Sequence, residues 1–235
     1  MSALGHMLED RGISTVAIGA VRVQMEKTRP PRGLWTSSQL GRPLGEPGDA
    51  AFQRRVLMAA LSLLERTNGP VILEDFHEDP PGWTDNPDWR PPALPGAASG
   101  DWQADFGAEL RALMPLWQLA QARFGRTTTG LSFLPPDEWA GFAPRFLARE
   151  LPVTPGHATP ALSLRFLCDD FKAFYGEAAQ ANGPAPSSRQ VDTWFWRQTV
   201  AGRLLQALRA AAMESENSAM KTVGGRFFVP TPWVV

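Results

Sequence analysis

Cysteine is scarce in this chain, with Cys168 the only one. That excludes an internal disulfide, a thiolate zinc site and a two-cysteine redox couple within one chain. Histidine is scarce as well: His6, His77 and His157 are the three, none close enough in sequence to another to give metal-ligand spacing. No glycine fingerprint announces a dinucleotide, so neither a metal nor another cofactor is assigned. Acids and bases nearly cancel, 24 against 23, and no basic tract stands out, which argues against nucleic acid as a partner. No apolar run is long enough to cross a bilayer, and no basic-then-apolar leader opens the sequence, so no membrane role and a cytoplasmic location are expected.

Proline and tryptophan are abundant by contrast, at 22 and nine. Proline lowers loop entropy and tryptophan anchors loops on a core, so long packed connections are expected. The 235 residues suffice for one large domain or two smaller lobes.

Hydrophobic periodicity predicts a short helix over residues 2 to 11, closed by Gly12, and a buried strand from Ile13 to Ile18. A second helix over residues 20 to 28 stops at Pro30-Pro31, and Gly33 to Thr36 reads as a short strand. Asp49 is a good cap for a helix from Ala50 to Arg66, with Phe52, Val56, Leu57, Ala60, Leu63 and Leu64 in period. Pro70 to Asp75 returns as a strand. The expected fold class is therefore α/β: a small parallel β-α-β lobe over residues 1–75, packed with a mainly helical C-terminal half over residues 101–235. A Pro/Trp-rich connection over residues 76–100 joins them.

In the second half, residues 101 to 124 read as helix, kinked or divided at Pro115. Pro135 to Trp139 reads as a helix start, and Ala161 to Gln180 as a helix. Ser187 or Ser188 caps a long helix through Ala212, and Gly225 to Val229 reads as a terminal strand. Trp194 and Trp196 lie two apart, so one is expected in the core and the other in loop packing or an interface. A parallel sheet of two or three strands leaves edges uncovered, so a second subunit or a second copy is expected to complete it.

The best candidate site combines Arg29, Arg32 and Arg42 with Gly41 and Gly45, beside the helix that Asp49 opens. Arginine forks suit carboxylates and phosphates, glycines let backbone N–H groups approach an anion, and a helix start adds positive potential. A small-molecule anion is the implied partner. The plainer alternative is a structural loop whose arginines pair with nearby acids. Glu74, Asp75, His77, Glu78 and Asp79 form an acidic stretch able in principle to meet a divalent metal, but lacking ligand spacing it reads as solvated charge. Cys168, between Arg165 and the acids Asp169 and Asp170, reads as a small core residue rather than a nucleophile. His6 is a candidate proton donor, or a partly buried helix histidine.

Leu8-Glu9, Gly12-Ile13, Thr15-Val16, Pro30-Pro-Arg32, the run from Gly41 to Asp49, Gln53 and the acidic stretch before Pro80 together resemble the selenoprotein B family of glycine, sarcosine, betaine and D-proline reductases. The likeness covers about the first third of the chain, and is to members without selenocysteine. It implies thiol or selenol chemistry that reductively cleaves a carbon–nitrogen bond in small amino-acid-derived substrates. The reactive motif it implies would lie just before the first helix, where this sequence reads Met1-Ser-Ala-Leu-Gly-His6 with no cysteine. Two readings follow: a reductase-like protein whose thiol comes from outside or from a partner, or a non-catalytic binding or assembly subunit. A metal-dependent enzyme using His77 is a third.

Overall fold

The computed structural model describes residues 1–38, 42–45, 48–80, 84–96 and 99–234. The chain divides into two compact units, Met1–Asp85 and Asn86–Val235.

The first unit is α/β. Its elements run α1 (Ser2–Glu9), β1 (Ala17–Gly19), α2 (Arg22–Thr28), β2 (Arg32–Trp35), α3 (Ala50–Ser62) and β3 (Ile72–Asp75). The three strands are parallel in the order β1-β2-β3, with Ala17 opposite Gly33 and Gly33 opposite Leu73. Asp49 accepts the Phe52 N–H at 3.0 Å and so starts α3. Phe52, Val56 and Ala60 recur at helical spacing and bury with Leu34 and Leu63 as the core of this unit. Leu57, which the period also enrolled, points outward, 44% exposed. Elsewhere in the sheet, Met25 of α2 lies over two glycines: a Cβ at Gly33 would stand 2.8 Å from its Cε.

The strand expected from Ile13 to Ile18 contracts to Ala17–Gly19, and Ile13 is 54% exposed. The cause is Glu9, whose Oε1 takes both the N–H and the hydroxyl of Thr15, at 2.9 and 3.1 Å. Those bonds occupy the Thr15 donors with a side chain in place of a neighbouring strand.

The second unit is helical: α4 (Trp102–Phe124), α5 (Trp139–Phe142), α6 (Pro160–Ala179), α7 (Ser188–Gln198), α8 (Val200–Glu214) and α9 (Ser218–Val223). Its core is aromatic, with Trp139, Phe171, Phe174, Tyr175 and Trp194 almost fully enclosed. Pro115 does not divide α4, which runs unbroken for 23 residues. Pro115 and Arg111 are both exposed, so the Arg111 carbonyl that proline leaves unbonded can be met by water.

The long helix expected from Ser187 through Ala212 is interrupted. Ser187 does cap α7, in a reciprocal box with Gln190, but Thr199 breaks the helix and caps α8 through the Gly202 N–H at 2.9 Å. The carboxylate of Glu109 fixes the break by accepting the Val200 N–H at 2.7 Å and the Ala201 N–H at 3.3 Å. Gly225 to Val229 forms no strand; Gly224–Phe228 is a π-helical turn with Phe228 buried, and the described residues of this unit contain no strand with which it could pair. Trp194 and Trp196 are both buried, because Phe195 between them is packed as well and meets the Trp196 ring edge-on at 4.7 Å.

Residues 76–100 carry no helix or strand among those described, and the boundary between the units falls within them. Beyond it, Trp89 is buried and donates its indole N–H to the Ala179 carbonyl at 3.2 Å. Among the described residues, no helix is long and apolar enough to cross a membrane.

Candidate functional site

Arg32 opens β2 and pairs with Glu9 at the end of α1, with side chains 15% and 20% exposed. Burial alone would raise the Glu9 pKa, but hydrogen bonds from Arg32 and Thr15 outweigh it and hold the carboxyl below its ordinary value. The Arg32 Nε is buried and has no hydrogen-bond partner among the described residues. This guanidinium therefore clamps α1 to β2.

Arg29 takes a left-handed conformation at the end of α2, with φ 46°, and its side chain is exposed. Its carbonyl accepts the Nε2–H of His6 at 2.7 Å. Arg42 belongs to the opposite end of β2, since the next residue, Pro43, accepts the Thr36 hydroxyl at 3.1 Å. Four residues of strand separate Arg32 from Thr36, about 13 Å at the usual rise. The three arginines thus do not form the single anion pocket anticipated for them: Arg32 is committed to Glu9, and Arg42 sits at the far strand end. Gly45, with φ +78°, lies against Phe52 at the start of α3, where a Cβ would stand 2.7 Å from the ring. Gly41 lies outside the described residues.

A recess of about 700 Å³ runs beside β1 and is lined by Ser2, Ala3, His6, Ile18, Gln24 and Thr28, among others, but by none of the candidate arginines. Its wall carries a short polar chain, in which the Ser2 hydroxyl donates to Thr28 Oγ1 at 2.9 Å and Thr28 donates to the Gln24 carbonyl at 2.8 Å. Met1 supplies no side-chain cap, so the first N–H groups of α1 remain for a ligand or water. At Gly19 the recess meets the strand ends, for the Gly19 carbonyl accepts the Thr36 N–H at 3.0 Å. Ser38, two residues on, is buried with a hydroxyl that finds no partner among the described residues.

Sequence reasoning reached His6 but not Ser2, Gln24 or Thr28. Capping of α1 was the available signal, since a helix opening without a strong N-cap residue leaves its N–H groups open.

The acidic stretch disperses. Glu74 pairs with Arg66 at 2.8 Å, Asp75 with Arg22 at 3.0 Å and Glu78 with Arg55 at 2.9 Å, while Asp79 accepts from Ser37 at 2.6 Å. His77 is exposed. Among the described residues, no three His, Cys, Asp or Glu side chains gather where they could hold a metal ion. Cys168 is fully enclosed in the helical unit, and burial pushes its thiol far above the ordinary cysteine value. That removes it from the candidate nucleophiles, because the thiolate is the reactive form.

Set beside known proteins, the chain matches no family model, no curated protein and no solved structure.

Proposed function

We propose that this protein is a reductase-like binding subunit of the selenoprotein B kind. In this reading its α/β unit holds a small amino-acid-derived anion, and the reducing thiol comes from another molecule or a partner chain. The observation that carries the reading is the position of the recess, at Ser2, Ala3 and His6. That is next to where the resembling family's reactive motif would lie. The uncapped first turn of α1 offers N–H donors and positive potential to a carboxylate there. His6 is held by its bond to the Arg29 carbonyl, leaving the other ring nitrogen free to relay a proton. The sealed Cys168 cannot supply the thiol, and a cytoplasmic location would keep an external one reduced.

Calorimetric titration with glycine, sarcosine, betaine and D-proline, each alone, tests the binding half. At least one should bind, and Ala3→Trp, a bulky change at an exposed lining position, should weaken it by about tenfold or more. No binding by any of the four, or binding indifferent to Ala3→Trp, overturns the site. Carbon–nitrogen cleavage appearing only when a thiol-bearing partner is added would complete the test.

A second reading, a non-catalytic assembly subunit, is favoured by the outward face of α3. Leu57, Met58 and Leu61 are 44%, 57% and 50% exposed there, and β1 and β3 are the outer strands of a three-stranded sheet. A second copy or another subunit would complete the sheet. Sedimentation of the wild type against Met58→Lys/Leu61→Lys decides it: a complex that dissociates in the variant supports assembly, and a monomer in both dismisses a self-assembled form.

A further inference from the structure

The helical unit carries a recess of its own, about 560 Å³, where α4 meets α5. Small residues bring the two helices close, since a Cβ at Gly107 would stand 3.4 Å from that of Ala140. Leu110, Met114 and Phe142 make its apolar wall. Arg111 folds back across Gly107, with Nη1 3.3 Å from the place a Cβ would occupy, so glycine leaves room for the guanidinium.

Three charged side chains of this recess are uncommitted. Arg111, Asp137 and Glu138 all line it, yet among the described residues none has an ion pair or side-chain hydrogen bond, with each other or elsewhere. Arg145 on the same rim differs, being bound to Glu150 at 2.6 Å. Opposite charges that share a cleft without pairing, beside an apolar wall, suit a ligand carrying both charges and an apolar group. The volume lies within the usual range for small-molecule sites.

We propose that this recess binds a free α-amino acid with an apolar side chain. Its carboxylate meets the planar fork of Arg111, its ammonium meets Asp137 and Glu138, and its side chain lies against Leu110, Met114 and Phe142. The site is separate from the recess beside β1 and does not depend on reductase-like function.

Calorimetry on the full chain with L-leucine tests it. Two analogues serve as controls: 4-methylpentanoate, which lacks the ammonium, and 3-methylbutylamine, which lacks the carboxylate. Leucine should bind, and each analogue should bind about tenfold or more weakly, as loss of a charge-assisted contact requires. Arg111→Ala and the pair Asp137→Asn/Glu138→Gln should each weaken leucine by a similar factor. These positions are exposed, so the variants should keep the wild-type circular dichroism and melting temperature. Absence of leucine binding up to about 10 mM overturns the proposal. So does equal binding by either analogue, or leucine binding unaffected by Arg111→Ala.

Discussion

In Asn86–Val235 the buried carboxylates are enclosed by donors. Asp170 accepts the N–H groups of Gly130, Leu131 and Ser132, each at 2.9 Å, and Glu109 accepts two backbone N–H groups and the Tyr175 hydroxyl. In Met1–Asp85 the corresponding role falls to Glu9, which stays a fifth exposed and leans on an arginine. The cores differ in the same sense: a broad aromatic cluster in one unit, and Leu34, Phe52, Val56, Ala60 and Leu63 in the other. The helical unit surrounds its two buried carboxylates with its own donors, although the buried Nε atoms of Arg165 and Arg209 find no partner among the described residues. The α/β unit leaves N–H groups, a buried hydroxyl and sheet edges open, where a ligand or another strand could satisfy them.

The largest effect that can break this comparison is in the aromatic core. Phe171 packs against Phe106 at 4.7 Å and Trp139 at 5.3 Å. Phe171→Ala should cost about 3–5 kcal/mol, read from urea unfolding of the helical unit. A loss below about 1 kcal/mol would mean that this core is loosely packed. Gly33→Val should cost about 1–3 kcal/mol by driving a side chain into Met25, and the loss should appear in hydrogen exchange of the α/β unit.

Acidity should separate the units with opposite signs. Glu9 lies below the usual glutamate value of 4.5, so its contribution is present above that pH and is lost as pH falls through the lowered folded value. Glu109 lies above 4.5: burial raises it, and the hydrogen bonds it accepts only partly offset this. Between 4.5 and that raised value the folded form keeps a proton the unfolded form has released, so stability falls as pH rises through the window. Arg32→Met should weaken the first dependence, at about 1–2 kcal/mol near neutral pH, with the Thr15 bonds to Glu9 left in place, and Glu109→Gln should flatten the second. Slopes unchanged in both variants would contradict the assignments. The smallest effect concerns Cys168, which should resist thiol reagents in the folded chain and react once unfolded; prompt labelling of the native protein would place it at an accessible surface.

Local signals made part of this legible from residues alone. Asp49 with the Phe52, Val56 and Ala60 spacing gave α3, and Ser187 with Gln190 gave the start of α7. What escaped depended on partners distant in sequence. Glu9 reaches Arg32 across 23 residues, which turned an apparent anion ligand into a clamp and shortened β1 through Thr15. Glu109 reaches Val200 across 91 residues, and this cut a periodic helix in two at Thr199. Trp196 was read from helix facing alone, which does not register packing on several sides. The recess beside β1 arises from α1, β1 and α2 together, and no single motif announces it.

The central claim, a small-anion site in the α/β unit that waits for an outside thiol, is tested most directly by amide NMR of the full chain. Under titration with D-proline, sarcosine, glycine or betaine, at least one ligand should shift the resonances of Ser2, Ala3, His6 and Gly19 together and saturably. If all four leave these resonances unmoved at concentrations well above those of ordinary substrates, the α/β unit does not bind what the account assigns to it.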